Sequence, residues 1–250
     1  MNICIFDTET TSLDKPFCYN IGYVIVNAET NSILLEKDFV VEQVWHNLPL
    51  FSTSYYAEKR PLYVASMRAK KTLMKKFGYI CQEMIRDFKA YEIENAYAYN
   101  SNFDERVFEF NCEWFKCNNP FDNVKIFDIR GFAHEFLINE DYLRFCEKNE
   151  LFTESGNYST TAETMFRYML NDTDFHEEHT ALADSQIEKE ILMLCYSLGA
   201  DLNNNYQAKR SIERKTIKHF EILVDKKKVF ETDYSKMRLM KNKGQLLFEK

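Results

Sequence analysis

The chain has 250 residues, 45% of them hydrophobic and 28% charged, with a formal net charge of −7. Such a composition supports one sizeable core with an appendage and excludes an intrinsically disordered chain. No run approaches the ~20 apolar residues of a membrane span, and the acidic balance excludes a protein that coats nucleic acid through bulk positive charge, though not a nuclease whose local field is set by bound metals.

Residues 3–7 predict a buried strand leading into Asp7-Thr8-Glu9-Thr10-Thr11. Side chains two apart on a strand share a face, so Asp7 and Glu9 converge where the strand reaches the surface. Two carboxylates held that close repel unless a cation lies between them, and an oxygen-rich, doubly charged site suits Mg²⁺ or Mn²⁺. The strand starts at residue 3 with no basic segment and apolar run ahead of it, so no secretory leader is expected and the expected compartment is the cytoplasm. The seven scattered cysteines fit reduced thiols there. Cys112 and Cys117 are too far apart for a CxxC pair and lack a matching second pair, so the spacing does not predict a zinc knuckle.

Strands over 19–26 and 33–41 follow, joined by short turns as in an antiparallel meander. Residues 45–66 are aromatic and irregular; Trp45, Phe51, Tyr55, Tyr56 and Tyr63 either pack in the core or stack nucleic-acid bases. From about Ser66 to Tyr91 the pattern turns helical, with Leu73, Phe77, Ile80, Met84, Ile85 and Phe88 at three- and four-residue steps. Short strands at 96–99 and 125–129 bracket a helix over 103–115, and short helices are predicted over 131–138 and 140–149. Ser159 or Thr160 is placed to cap a helix running to Leu170, with Glu163 three residues after Thr160. The strongest helix spans 180–198 and stops at Gly199. The polar stretch Asp201 to Asn205 reads as a linker, and strands over 217–224 and 228–230 fit a small hairpin. The expected fold is α/β: a mixed sheet, antiparallel meander plus parallel strands, flanked by helices over 1–200, with a C-terminal extension over 201–250.

Two groups of basic residues stand out: Arg68, Lys70, Lys71, Lys75 and Lys76, and Lys209, Arg210, Arg214, Lys215 and Lys218. Each is either a solvated helix face or a phosphate-facing patch. A two-metal site needs more acids than Asp7 and Glu9, placed at element boundaries. Tyr99-Asn100-Ser101-Asn102-Phe103-Asp104 lies at a strand-to-helix junction, and His179-Thr180-Ala181-Leu182-Ala183-Asp184 opens the last long helix.

These three segments, in this order, resemble the three motifs of the DnaQ-like 3′–5′ exonucleases, and the His-x-x-x-x-Asp spacing resembles the histidine-bearing DEDDh branch. The resemblance covers roughly residues 1–200. It implies a ribonuclease-H-like fold, with Asp7, Glu9, Asp104 and Asp184 as ligands of two Mg²⁺ or Mn²⁺ ions and His179 as general base. It also implies that Thr8, Thr10, Leu13 and Asn100 contact the 3′-terminal nucleotide, Leu13 as a wedge, although plain turn chemistry equally accounts for Thr10 to Ser12. Helical geometry would set His179 and Asp184 on different faces, so His179 is expected in the loop just before the helix. Relatives often carry glycine where this chain has Ser12, and histidine where it has Tyr99.

The implied activity is removal of nucleotides from 3′ ends, releasing 5′-mononucleotides, with single-stranded or frayed DNA as the favoured partner. An RNA-directed exoribonuclease of the same fold is a second reading, and a non-catalytic nucleic-acid or replication-partner module a third. A role in replication would be proofreading in trans. The tail Gly244-Gln245-Leu246-Leu247-Phe248 resembles a sliding-clamp-binding peptide one residue short, or forms a small strand. The Asn-, Lys-, Phe- and Tyr-rich composition suggests an AT-rich phage or bacterial genome.

Overall fold

The computed structural model describes residues 1–209, 211–214, 219–224 and 227–233. Two compact units form: Met1–Leu151 with Ser159–Arg210, and Phe152–Tyr158 with Ser211–Lys250. In the smaller unit, strands His219–Val224 (β7) and Lys227–Asp233 (β8) pair antiparallel. The bridge Phe152–Tyr158 closes a short loop, and the Tyr158 N–H donates to the Ile212 carbonyl at 3.0 Å. The segment Gly244 to Phe248 lies outside the described residues.

The larger unit is built on a six-stranded sheet. Its strands are Asn2–Thr10 (β1), Cys18–Asn27 (β2), Ser32–Val41 (β3), Leu73–Lys75 (β4), Asn95–Ala98 (β5) and Lys125–Asp128 (β6), in the order β4-β3-β2-β1-β5-β6. The meander β1-β2-β3 is antiparallel, while β4, β5 and β6 each add in parallel, as expected of a mixed sheet. Ile3, Cys4, Ile5 and Phe6 are fully buried, because β1 is central and covered on both faces.

Helices cover the sheet. They are Glu42–Trp45 (α1), Leu48–Phe51 (α2), Arg60–Arg68 (α3), Phe77–Ala90 (α4), Asn102–Phe115 (α5), Ile129–Phe136 (α6), Glu140–Lys148 (α7), Ala162–Leu170 (α8) and Ala181–Ser197 (α9). Among the described residues, none is long and apolar enough to cross a membrane.

Four local expectations change. β1 continues to Thr10, because Thr8, Glu9 and Thr10 go on pairing with Ile21, Asn20 and Cys18 across a register shift between Glu9 and Thr10. The acids therefore sit within the strand rather than at its end. The single helix expected over 66–91 is two helices separated by β4. Lys70 takes a left-handed φ of 59°, and the edge of β3 offers Phe39, Val40 and Val41 as partners for residues 73–75. Long-range pairing thus overrides a helical spacing that runs through Leu73. The cap of α8 is Thr161, whose Oγ1 accepts from the Thr164 N–H at 3.2 Å, while the Thr160 carbonyl accepts from the Tyr99 hydroxyl. Residues expected as a linker also pack into the main unit. Leu202 is buried, its carbonyl accepts from the Tyr97 hydroxyl at 2.6 Å, and Tyr206 packs edge-on against Phe132 and Phe136.

The contact that positions the site is between β2 and α9. Gly22 pairs with Asp7 across the sheet. A Cβ on Gly22 would fall 2.1 Å from the Leu182 nitrogen and 2.2 Å from the Ala181 carbonyl carbon. The backbone at the start of α9 therefore rests directly on the sheet, which glycine alone permits. Two polar contacts hold it there. The Ala181 N–H donates to Asn20 Oδ1 at 2.8 Å, and Ser185 Oγ donates to the Gly22 carbonyl at 3.2 Å. Asn20 is fully buried and fully engaged, also donating to Asp38 and the Phe39 carbonyl and accepting from Tyr63.

Candidate active site

Asp7, Glu9 and Asp184 each place a carboxylate oxygen within 4.8 Å of the others. β1 presents the first two on one face, and the first turn of α9 supplies the third. Asp104, buried in the first turn of α5, accepts from Thr8 Oγ1 at 2.6 Å, so it is tied to the strand position between the two β1 acids.

Crowding these groups out of water drives their proton affinity up. Burial, then the Asp104, Glu188, Asp184 and Glu9 charges, hold Asp7 well above the carboxylate range. Glu9 is pushed up to about 8, chiefly by burial, against the opposing pull of Lys59 and the Tyr19 hydroxyl, which donates to it at 3.3 Å. Asp184 rises to about 8 through burial and the Glu9 charge, and Asp104 to about 7 through burial, partly offset by Thr8. Asp184 Oδ1 is buried and has no hydrogen-bond partner among the described residues. Mutually repelling carboxylates with an orphaned oxygen fit a hard divalent cation bound among them.

His179 stands at the rim. It precedes α9 by two residues, in the loop position expected of it, with a left-handed φ of 50°. Its ligand nitrogen lies within 4.8 Å of carboxylate oxygens of Asp184 and Glu177. Burial and then the Lys59 ammonium push its pKa below the usual imidazole value. The imidazole is therefore neutral near pH 7 and able to accept a proton.

Four further residues lie near the site. Tyr56 stacks on the His179 ring with centroids 4.6 Å apart and planes 12° from parallel. Lys59 Nζ lies 4.1 Å from the Tyr56 centroid and donates to the Glu178 carbonyl. Glu177, only 11% exposed, is held 3.5 Å from His179 Nδ1. It is pushed up to about 8 by burial and the Asp184 charge, with one carboxylate oxygen unpartnered among the described residues. Glu188, one turn beyond Asp184 on α9, is buried and accepts from the Tyr99 N–H at 3.0 Å. A helical i, i+4 relation to Asp184 was the available signal for Glu188. Lys59 had none and Tyr56 only its place in the aromatic run, because their approach to His179 spans more than 110 residues of sequence.

The residues implied to contact a nucleotide are distributed differently. Leu13 is 74% exposed beyond the end of β1. Thr10 Oγ1 donates to the Ser12 carbonyl, a turn contact. Thr8 is buried and engaged with Asp104. Asn100 takes a left-handed φ of 63° in the turn before α5, and its N–H donates to Asp128 Oδ1 at 2.8 Å. Asp128 also caps α6. Of the aromatic segment, Trp45, Phe51 and Tyr63 are core residues, whereas Tyr55 is 85% exposed.

No family model and no curated protein matches this sequence. Solved structures match it in shape. The nuclease domain of 3′hExo, a DEDDh family member bound to rAMP, superposes with a TM-score of 0.55 at 16% identity, over 84% of this chain and 97% of that one. A 3′-exonuclease recognising the histone mRNA stem-loop gives 0.55 at 16% identity, over 79% of this chain and 82% of that one. The zinc-bound E. coli ExoI–ssDNA complex gives 0.53 at 15% identity, over 81% of this chain and 42% of that one, so the chain spans less than half of that protein. What is shared at such identity is the fold: a mixed six-stranded sheet flanked by helices.

Proposed function

We propose that the protein is a divalent-metal-dependent 3′–5′ exonuclease of the DEDDh type, acting on single-stranded or frayed DNA ends. The observation that carries this reading is the convergence of Asp7, Glu9 and Asp184 within 4.8 Å, with His179 beside Asp184, on the fold of known 3′ exonucleases. Asp7, Glu9, Asp104 and Asp184 would hold two Mg²⁺ or Mn²⁺ ions. Such ions, when bound, stabilise charge on the attacking and leaving oxygens of an in-line phosphoryl displacement. His179 takes the proton of the attacking water. The water oxygen bonds to the terminal phosphorus, the 3′-oxygen of the preceding nucleotide leaves, and a 5′-mononucleotide is released. Leu13, Thr10, the backbone beside Thr8, and Asn100 would meet the terminal nucleotide.

RNA is the second substrate reading. The similar structures include one with an RNA stem-loop and one with single-stranded DNA, and the 2′-hydroxyl is what such a site would have to discriminate. A time course with Mg²⁺ on matched end-labelled DNA, duplex and RNA oligonucleotides tests both. Single-nucleotide ladders from the 3′ end are expected, fastest on single-stranded DNA. Full activity in both Asp7→Ala and Asp184→Ala would sink the nuclease reading.

A further inference from the structure

A second cluster of metal-ligating side chains lies on α4, α5 and the turn after α5. Cys81, Cys112 and Cys117 bring their sulfur atoms within 4.8 Å of one another. Three features of the backbone create the cluster. Lys116 ends α5 in the left-handed conformation, φ 55°, and turns the chain so that the Cys117 N–H donates back to the Cys112 carbonyl at 3.1 Å. Gly78, in the first turn of α4, lies against that turn: a Cβ there would stand 3.4 Å from Cys117 Cβ and 3.9 Å from its Sγ. Cys81 follows Gly78 by three residues and so shares its helix face.

We propose that Cys81, Cys112 and Cys117 form a three-thiolate binding site for a soft d¹⁰ cation, with Zn²⁺ as its representative. Tetrahedral Zn–S bonds of about 2.3 Å place sulfurs about 3.8 Å apart, so small side-chain rotations close the cluster onto an ion. Soft thiolate donors separate this site from the carboxylate site, whose hard oxygens suit Mg²⁺ or Mn²⁺. The thiols lie close enough to perturb one another: Cys112 is lowered chiefly by Cys81 and also by Cys117, whereas Cys117 is pushed up to about 11 chiefly by burial. Cation binding displaces the thiol protons, each sulfur donating an electron pair, with no change of oxidation state. Cys81 and Cys112 are buried while Cys117 is partly exposed, which leaves one side open for the ion to enter. No His, Asp or Glu joins the group among the described residues, so water completes the coordination. The ion would clip α4 to the end of α5, the helix whose first turn carries Asp104 about 12 Å away along the axis.

The test uses the full chain, reduced and stripped of metal, titrated with Cd²⁺ and Zn²⁺. One equivalent of Cd²⁺ is expected to produce a thiolate-to-metal charge-transfer band, which carboxylates cannot give. Zn²⁺ should abolish that band with a Kd below about 1 μM and slow the reaction of the thiols with a disulfide reagent. Cys117→Ser, at the partly exposed position, should fold and lose most of the band, while Asp7→Asn/Asp184→Asn should keep it. Absence of a band, a band unchanged in Cys117→Ser, or thiol reactivity indifferent to Zn²⁺ would overturn the proposal. So would a disulfide within the trio in place of metal uptake. None of these outcomes bears on the nuclease reading.

Discussion

Tyr56 lies flat on His179, the two rings 4.6 Å apart and 12° from parallel. A residue of the connection between β3 and β4 thus walls one side of the imidazole, which a left-handed backbone already holds in a constrained loop. Tyr56→Phe should retain the wall and near-normal turnover. Tyr56→Ala should lower kcat about 10-fold, equal to about 1.4 kcal/mol of barrier. Single-turnover rates on a 3′-labelled oligonucleotide distinguish the two, and equal losses would assign the effect to the hydroxyl instead.

The same wall keeps water from His179, and Lys59 adds repulsion of the protonated imidazole. Both lower the pKa, so the imidazole is neutral further into the acid range. Removing either should raise it toward 6.5. The acid limb of the pH–rate profile should therefore move to higher pH in Tyr56→Ala and in Lys59→Met. A limb that stays in place in both variants would mean that it does not report the His179 imidazole proposed as the base.

The acids predict how stability responds to pH and metal. Glu9 and Asp184 are raised to about 8 and Asp104 to about 7 without a cation. A raised folded-state pKa means that the folded chain binds more protons than the unfolded one between roughly pH 4 and 8. Metal-free stability should therefore fall as pH rises across that window. Added Mg²⁺ should raise Tm more at pH 8 than at pH 5, because the cation competes with protons for the same oxygens. Thermal unfolding at the two pH values with and without Mg²⁺ measures this directly.

Asp184→Asn should separate function from stability. It removes a charge whose Oδ1 lacks a partner among the described residues, and so relieves repulsion with Glu9. Turnover should fall by about 1,000-fold or more, while the metal-free protein should unfold at a temperature equal to or above that of the parent. A marked loss of Tm would mean that the carboxylate instead holds the start of α9.

Gly22→Ala should be severely destabilising. Its new methyl would lie 2.1 Å from the backbone of α9, where no side-chain rotation relieves it. A loss of at least about 3 kcal/mol by denaturant titration is expected. Any folded remainder should be inactive, since α9 would have to lift and carry Asp184 away from Asp7.

Much of this molecule was determined by the sequence alone, wherever the physics is local. The alternation in β1 puts Asp7 and Glu9 on one face, and a helical step of about 100° puts His179 in a loop if it is to serve with Asp184. The meander, the helix carrying Asp104 and the last long helix follow from similar short-range patterns. Their motif order pointed to the five polar residues of the site.

The tertiary structure decided what depends on distant chain segments. It ran β1 on to Thr10 because β2 supplied partners there, and made residues 73–75 a strand because β3 had an open edge. It laid Tyr56 against His179 and Lys59 over Tyr56, and it gathered Cys81, Cys112 and Cys117, whose spacing in the chain fits no metal motif. Above all it brought Asp184 to Asp7 and Glu9. That approach rests on a missing side chain at Gly22, which lets helix backbone touch sheet backbone. Close packing of that kind is set by the shape of two surfaces together, which neither segment encodes by itself.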